Sequence, residues 1–305
     1  MCLAGCTSPA TPAVIPADPA ITAVAPASTA TPLAPATPVA MATPAPPPTE
    51  TLPPLATPTV TPGITLTLTV VYDNVAVDAR LRADWGFGCV VQGPEQTLLF
   101  DTGRNGEILL ENMRALGLNS QAVSAIVLSH AHNDHTGGLA RFLAENPRVT
   151  VYMLASFPTG IKATVREAGA TLVEVEESMP LSPWAYSTGN LGGLVPEQAL
   201  VLDTPRGSVV VSGCAHPGIA AAVRQAQTLV NREVALVLGG LHLLEADTVR
   251  ITAVIAELQA LGVQSVAPSH CTGAKAMSAF AEAFGAAYRS SGAGQRFVIV
   301  SEGEP

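Results

Sequence analysis

The sequence predicts a layered α/β domain over residues 64–305, with two β-sheets packed face to face and helices covering their outer sides. Three observations lead there. Short strands joined by tight turns open each half of this region. Amphipathic helical stretches then alternate with further strands. The histidine-bearing segments all fall where a strand has just ended, on loops that one edge of such a sandwich can gather.

Taken in order, the alternating run Ile64–Val71 reads as a strand with one apolar face. Gly88–Val91 and Thr97–Phe100 follow as strands around a Gly93-Pro94 turn. The period then changes. Glu107–Leu116 places Ile108, Leu109, Met113 and Leu116 at helical spacing, and Gly117 is its expected stop. Ala125–Leu128 is a short apolar strand running into a histidine-rich loop. Helices are expected at Leu139–Glu145, Lys162–Ala168, Ile219–Val230, Thr248–Leu261 and Ala274–Phe284. Strands are expected at Val149–Tyr152, Thr171–Val175, Ala199–Asp203, Ser208–Ser212, Val234–Leu238, Ser265–Ala267 and Arg296–Val300.

Residues 1–63 differ in kind. They hold 16 of the 26 prolines and two charges, Asp18 and Glu50, with no Lys or Arg. Proline fixes φ and removes backbone donors, and Ala and Thr offer too little apolar surface to offset ordering entropy. Residues 7–63 are therefore expected to be a disordered, semi-extended Thr/Pro/Ala linker. Ahead of it, residues 1–6 contain Leu3-Ala4-Gly5-Cys6, which has the shape of a bacterial lipobox with Cys6 as the lipidated residue. Only Met1 and Cys2 precede it, so the basic and apolar parts of a signal peptide would lie upstream of Met1. The expected location is extracytoplasmic, anchored to the bacterial membrane through a lipid on Cys6. Without that lipid the protein would be cytoplasmic.

The remaining residues carry 15 basic and 22 acidic groups with no basic cluster, which argues against a nucleic-acid partner. No uncharged apolar run approaches the ~20 residues that span a bilayer. A small-molecule substrate is the expected partner, and the sequence leaves the oligomeric state open. Of the five cysteines, Cys2 and Cys6 belong to the signal region, and three others make no disulfide framework. Cys89 reads as a buried small hydrophobe.

All six histidines lie in four short motifs. The first is His130-Ala131-His132-Asn133-Asp134-His135. His216 follows Ser212-Gly213-Cys214-Ala215, His242 lies in Gly239-Gly240-Leu241-His242-Leu243, and His270 lies in Pro268-Ser269-His270-Cys271-Thr272-Gly273. Imidazole nitrogen and carboxylate oxygen are zinc donors, and catalytic sites keep a position open for water. His-x-His in an extended loop turns two imidazoles to one side. Asp134 and His135 come just after, on a turn that can face a second ion, and two ions a few ångströms apart can activate water and polarise a scissile bond. A lone histidine in such a loop is more often a surface residue. Four metal-type side chains within six residues are not. His242 reads as a pocket residue with ligand, substrate-contact and hydrogen-bonding roles all open. Trp85, Phe87, Trp184 and Tyr186 read first as packing residues near the loops, with shaping of the substrate site as the alternative, and Lys275 as a solvated helix residue able to contact an anionic substrate.

Ser129 through Leu139 resembles the hallmark motif of the metallo-β-lactamase superfamily, and Phe100-Asp101-Thr102-Gly103 resembles its first motif. The Ser-Gly-Cys-Ala-His-Pro-Gly, Gly-Gly-Leu-His-Leu and His-Cys-Thr-Gly segments, with Ser187-Thr188-Gly189 and Pro196-Glu197-Gln198, resemble the branch that contains the dihydropterin–aminobenzene ribofuranosyl phosphate synthases. The resemblance runs from about Val70 to the C-terminus. It implies an αββα sandwich and two divalent metal ions, zinc first with manganese or iron as alternatives. It implies that His130 and His132 bind one ion and that Asp134, His135 and His270 bind the other. Asp101 would steady the metal loop by hydrogen bonds. Residues 136–215 contain no histidine, so His216 is inferred to replace the ligand most relatives carry there. Cys214 stands where a bridging Asp is expected, either replacing it or buried. Thr272 and Lys275 are further candidates for metal or substrate contact.

The function this implies is hydrolysis of an ester, lactone, phosphoester or amide by a metal-bound hydroxide, with Asp134 orienting it and Asp101 supporting the site. One alternative is the synthase-like joining of an aminobenzene nitrogen to a pterin methylene, which an exported protein would have no access to. The other is a metal- or ligand-binding lipoprotein without catalysis. Flavodiiron-type chemistry is disfavoured because His132 stands where that loop carries Glu, and β-lactam hydrolysis by the missing middle histidine.

Overall fold

The computed structural model describes residues 64–300. The expected lipobox at Cys6, the 7–63 linker and the last residues, 301–305, lie outside the described residues. The first half runs β1 (Thr65–Tyr72), β2 (Gly88–Gln92), β3 (Thr97–Phe100), α1 (Gly106–Ala115), β4 (Val123–Val127), α2 (Asn133–Thr136), α3 (Leu139–Glu145), β5 (Thr150–Leu154), α4 (Thr159–Glu167) and β6 (Thr171–Val175). The second runs β7 (Met179–Ser182), β8 (Ala185–Ser187), β9 (Leu200–Thr204), β10 (Gly207–Ser212), α5 (Ile219–Val230), β11 (Val234–Gly240), α6 (Thr248–Ala260), β12 (Val266–Ser269), α7 (Ala274–Phe284) and β13 (Arg296–Val300).

These strands form two mixed sheets, ordered β13-β1-β2-β3-β4-β5-β6 and β12-β11-β10-β9-β8-β7. In the first, β3, β4, β5 and β6 are parallel and the rest antiparallel. In the second, β10, β11 and β12 are parallel and the others antiparallel. Hairpins thus open each half and parallel crossovers close it, as the sequence predicts.

Period-two alternation assigns the strand faces. On β3, Leu98 and Phe100 point between the sheets while Leu99 faces the helices of the first half. On β10, Val209 and Val211 point between the sheets and Val210 faces α5. Three apolar clusters follow: one between the sheets, one under α1, α3 and α4, and one under α5, α6 and α7. The expected αββα sandwich of two mixed sheets flanked by helices is what the chain forms. A fully buried side chain such as Phe100 contributes on the order of 1.5–3 kcal/mol to holding the layers together.

The helices end where local chemistry ends them. Asn105 caps α1 by accepting from the backbone of Glu107 and Ile108, and Gly117 follows at φ 72°, a conformation that favours glycine. Asp247 caps α6 through the Arg250 N–H. Most expected elements recur within one to three residues of their predicted ends. The hairpin β7–β8 was not predicted, because Pro180 and Pro183 interrupt the segment. As the edge strand of its sheet, β7 tolerates a residue that cannot donate to a ladder. Residues 133–136, expected as a turn, form the four-residue α2, whose first turn carries Asp134. Among the described residues no helix is long and apolar enough to cross a membrane.

Candidate metal centre

Five strand ends meet at one edge of the sandwich. The loop after β3 brings Asp101, the loop after β4 brings Ser129–His135, and those after β10, β11 and β12 bring Cys214–His216, His242 and His270–Thr272. Each histidine motif therefore sits at the C-terminal end of its strand, as expected.

Two donor sets converge there. In one, the ligand atoms of His130, His132 and His216 all lie within 4.8 Å of one another, with His130 Nε2 3.1 Å from His132 Nδ1. In the other, Asp134, His135 and His270 satisfy the same limit. His135 Nε2 is 3.2 Å from His270 Nε2, and His270 Nε2 is 3.3 Å from Asp134 Oδ2. Cys214 stands between them: it groups with His130 and His135, and its Sγ is 3.3 Å from His135 Nε2. The structure thus gathers every histidine of the sequence-derived ligand set, together with Asp134. It also places the Cys214 sulfur where a bridging carboxylate was expected.

The outer partners fix which nitrogen is free in four of the five rings. His135 Nδ1 lies 2.7 Å from Asp101 Oδ2, His216 Nδ1 lies 2.8 Å from Glu197 Oε2, and His270 Nδ1 lies 3.0 Å from Asn74 Oδ1. An oxygen that only accepts puts the proton on Nδ1 and leaves the Nε2 lone pair facing inward. Ser129 Oγ donates to Asp101 Oδ2 at 2.7 Å, so it receives His130 Nδ1–H at 2.9 Å and frees His130 Nε2 in the same way. Lone pairs of neutral imidazoles held this close repel unless a cation sits among them, so the donor set fits a metal.

Electrostatics agree for the two most buried rings. Burial holds His130 at about 3 and His135 at about 4, so both stay neutral. Burial works against a charge on Glu197, yet hydrogen bonds from His216 and from backbone N–H groups hold its carboxyl at about 2. For Asp134 burial also opposes the charge, but the His270 and His135 rings hold it well below the usual carboxylate range. Asp101, fully buried, is pushed up to about 7 by desolvation while Ser129 N–H and Oγ–H bind its two oxygens. The close approach of the two thiols raises the Cys214 thiol and holds the Cys271 thiol low, and Cys271 Sγ lies 3.8 Å from the Cys214 carbonyl oxygen.

Several site groups were not assigned a role from sequence. Glu197 accepts from Cys214 N, Ala215 N and His216 N at 2.8–2.9 Å and so builds the whole Cys214–His216 turn. Asn74 takes His270, and Trp85 Nε1 donates to Asp134 Oδ2 at 2.8 Å. The Pro196-Glu197-Gln198 resemblance pointed toward Glu197, and Trp85 stood among the aromatics near the loops, with packing as its first reading. Trp85 is instead a site residue, whereas Phe87 and Trp184 pack between the sheets and Tyr186 packs against the helices of the second half. Thr272 is buried and receives Leu241 N–H at 3.1 Å, which fastens the ends of β11 and β12. Lys275 is exposed and donates to the Ala246 carbonyl at 3.4 Å. Cys89 is buried between the sheets, its thiol pushed up to about 12 by burial.

The model of the metallo-beta-lactamase superfamily matches residues 89–212, which span the first two motif loops. Over 237 residues the chain is 30% identical to the 7,8-dihydropterin-6-methyl-4-(beta-D-ribofuranosyl)-aminobenzene-5'-phosphate synthase of Methanocaldococcus jannaschii, covering 63% of this chain and 81% of that protein. A solved metal-dependent hydrolase of the beta-lactamase superfamily superposes with a TM-score of 0.65 at 25% identity, over 76% of this chain and 98% of that one. The metallo-beta-lactamase fold protein YhfI from Bacillus subtilis gives 0.56 at 14% identity, over 77% and 99%. The family match covers the first two motif loops, the relative in sequence is 30% identical over most of its own length, and the sandwich is shared, so the chain belongs to the metallo-β-lactamase superfamily.

Proposed function

We propose that the chain is a metal-dependent hydrolase acting on an ester, lactone, phosphoester or amide. The observation that carries this reading is the pair of donor sets, four of whose five rings are turned inward by oxygen partners, with Cys214 grouped with one histidine of each. His130, His132 and His216 would hold one divalent ion, and Asp134, His135 and His270 the other, with the Cys214 thiolate between them. Zinc is the ion best suited to these donors, with manganese and iron as alternatives. When bound, such a pair supplies Lewis acidity and lowers the pKa of water into the neutral range.

The chain's own residues supply position. Asp101 orients the His135 ring and the Ser129 hydroxyl, and Glu197 orients His216. Trp85 and His270 keep the Asp134 carboxylate ionised and aimed into the site, where it can orient a water or accept its proton. The Thr272 bond to Leu241 keeps the two strand ends together, and exposed His242, whose ring adjoins that of His216, can meet a substrate there.

The 30% identity to a synthase supports a second reading, formation of a carbon–nitrogen bond between an aminobenzene and a pterin methylene. Leu3-Ala4-Gly5-Cys6 and the nearly uncharged spacer favour hydrolysis instead, because they support an extracytoplasmic protein anchored by a lipid on Cys6. The test is elemental mass spectrometry of the full chain beside His130→Ala, followed by turnover of aryl esters, lactones and phosphodiesters. Bound metal that falls in the variant, with turnover of at least one class, is the expected result. No metal after reconstitution, or pterin-dependent coupling without hydrolysis, overturns the proposal.

A further inference from the structure

Cys214 belongs to a further group of donor atoms. Its sulfur, a ring nitrogen of His242 and the sulfur of Cys271 all lie within 4.8 Å of one another. Apart from Cys214, this group uses none of the residues assigned to the ion pair. Its three members come from the ends of β10, β11 and β12, neighbouring parallel strands.

The backbone is shaped to bring them together. A methyl group on Gly240 would stand 2.7 Å from Cys271 Sγ and 2.2 Å from the Gly213 carbonyl oxygen, so any side chain there would push β11 away from both cysteines. His242 holds φ at 51°, a left-handed conformation that few histidines adopt, and its N–H donates to Cys271 Sγ at 3.3 Å. The His242 ring centroid is 4.4 Å from that of His216, so this group adjoins the first donor set on the side where His242 meets solvent. Two sulfurs and one imidazole, with a fourth position open, form a donor set that catalytic zinc takes elsewhere. It contains no oxygen donor, which disfavours magnesium, calcium and manganese.

We propose that Cys214, His242 and Cys271 form a third metal position for a thiophilic divalent ion of the zinc class, sharing the Cys214 thiolate with the ion pair. This goes beyond the dinuclear reading and shares one residue with it.

The test uses the full chain, stripped by a chelator under reducing conditions and titrated with cobalt(II). Bound metal is counted at equilibrium, and the near-ultraviolet thiolate-to-cobalt charge-transfer band is recorded. Wild type should bind one equivalent more than Cys271→Ser and one more than His242→Ala. The band of Cys271→Ser should fall to roughly half, since one of two thiolates is gone. His242→Ala removes an exposed ring and serves if Cys271→Ser folds poorly. An extra equivalent that His130→Ala retains while the ion pair is lost supports the third position and the dinuclear reading together. A single equivalent in wild type that Cys271→Ser and His242→Ala lose and His130→Ala keeps supports the third position and refutes the dinuclear reading. Equal stoichiometry and equal bands in wild type, Cys271→Ser and His242→Ala overturn the third position alone. A chain lighter by two hydrogens, with Cys214 and Cys271 joined in a disulfide before reduction and no extra equivalent after it, also overturns it. No cobalt uptake by wild type overturns both.

Discussion

Glu197→Gln isolates how the chain holds His216 without touching a ligand. One carboxylate oxygen of Glu197 accepts from Cys214 N and Ala215 N at 2.8 Å, and the other accepts from His216 N at 2.9 Å and from His216 Nδ1 at 2.8 Å. Glutamine keeps the shape and replaces one oxygen by a donor. Whichever oxygen is replaced, two buried N–H groups then face an NH2 group. Each stranded buried donor costs about 1–3 kcal/mol, so the variant should lose about 2–6 kcal/mol. Residue 197 is 1% exposed, so water cannot relieve the mismatch. Urea unfolding of the chelator-treated full chain at neutral pH measures this, and a competitive chelator measures affinity for the first ion. That affinity should fall about 10–100-fold, the usual penalty for losing an outer partner of a metal-binding histidine. Unfolding within about 0.5 kcal/mol of wild type, with unchanged metal affinity, would refute the reasoning.

Three further outcomes follow from the same contacts. Asp101→Asn places one donor against His135 Nδ1–H and Ser129 Oγ–H, or against Ser129 N–H, and should weaken binding of the second ion about 10–100-fold by chelator competition. Asp73 is buried with Oδ2 unpartnered, and burial pushes its carboxyl up to about 6 from 3.8. A raised carboxyl destabilises the fold once ionised, so Asp73→Asn should stabilise by about 1–2 kcal/mol at pH 7, and urea midpoints should converge below about pH 4. Gly240→Ala drives a methyl to 2.2 Å from the Gly213 carbonyl oxygen and should lower stability by more than about 2 kcal/mol in thermal unfolding.

The layers were legible because they are written locally. Alternation in β1 and the helical spacing in α1 are properties of eight or ten adjacent residues, and they survive folding unchanged. Sheet order was not legible. It depends on β13 returning to pair with β1 from more than 200 residues away, with Thr65 opposite Val300. No local pattern encodes that register. The β7–β8 hairpin was hidden by its prolines, whose meaning reverses once β7 is known to be an edge.

The site divides along the same line. Its inward-facing residues were readable because histidine is rare in this chain and four metal-type side chains crowd into residues 130–135. The partners that aim them were not. Asn74 lies 196 residues from His270, and Glu197 lies 19 from His216, each a single polar residue with no spacing to mark it. The backbone that delivers the side chains was equally hidden. Of the five described non-glycine residues with positive φ, Asp101, Ala215, His242 and His270 stand at this edge, each within three residues of a strand end. A left-handed residue there turns the chain sharply off its strand, so that the side chains crossing the edge point at one another. Such residues cost on the order of 1–3 kcal/mol each and persist only where their surroundings over-determine them. Glycine or asparagine would have signalled these turns. The chain instead places aspartate, alanine and histidine there, so the strain became visible only where the loops meet, and it falls on the residues that the proposed chemistry requires.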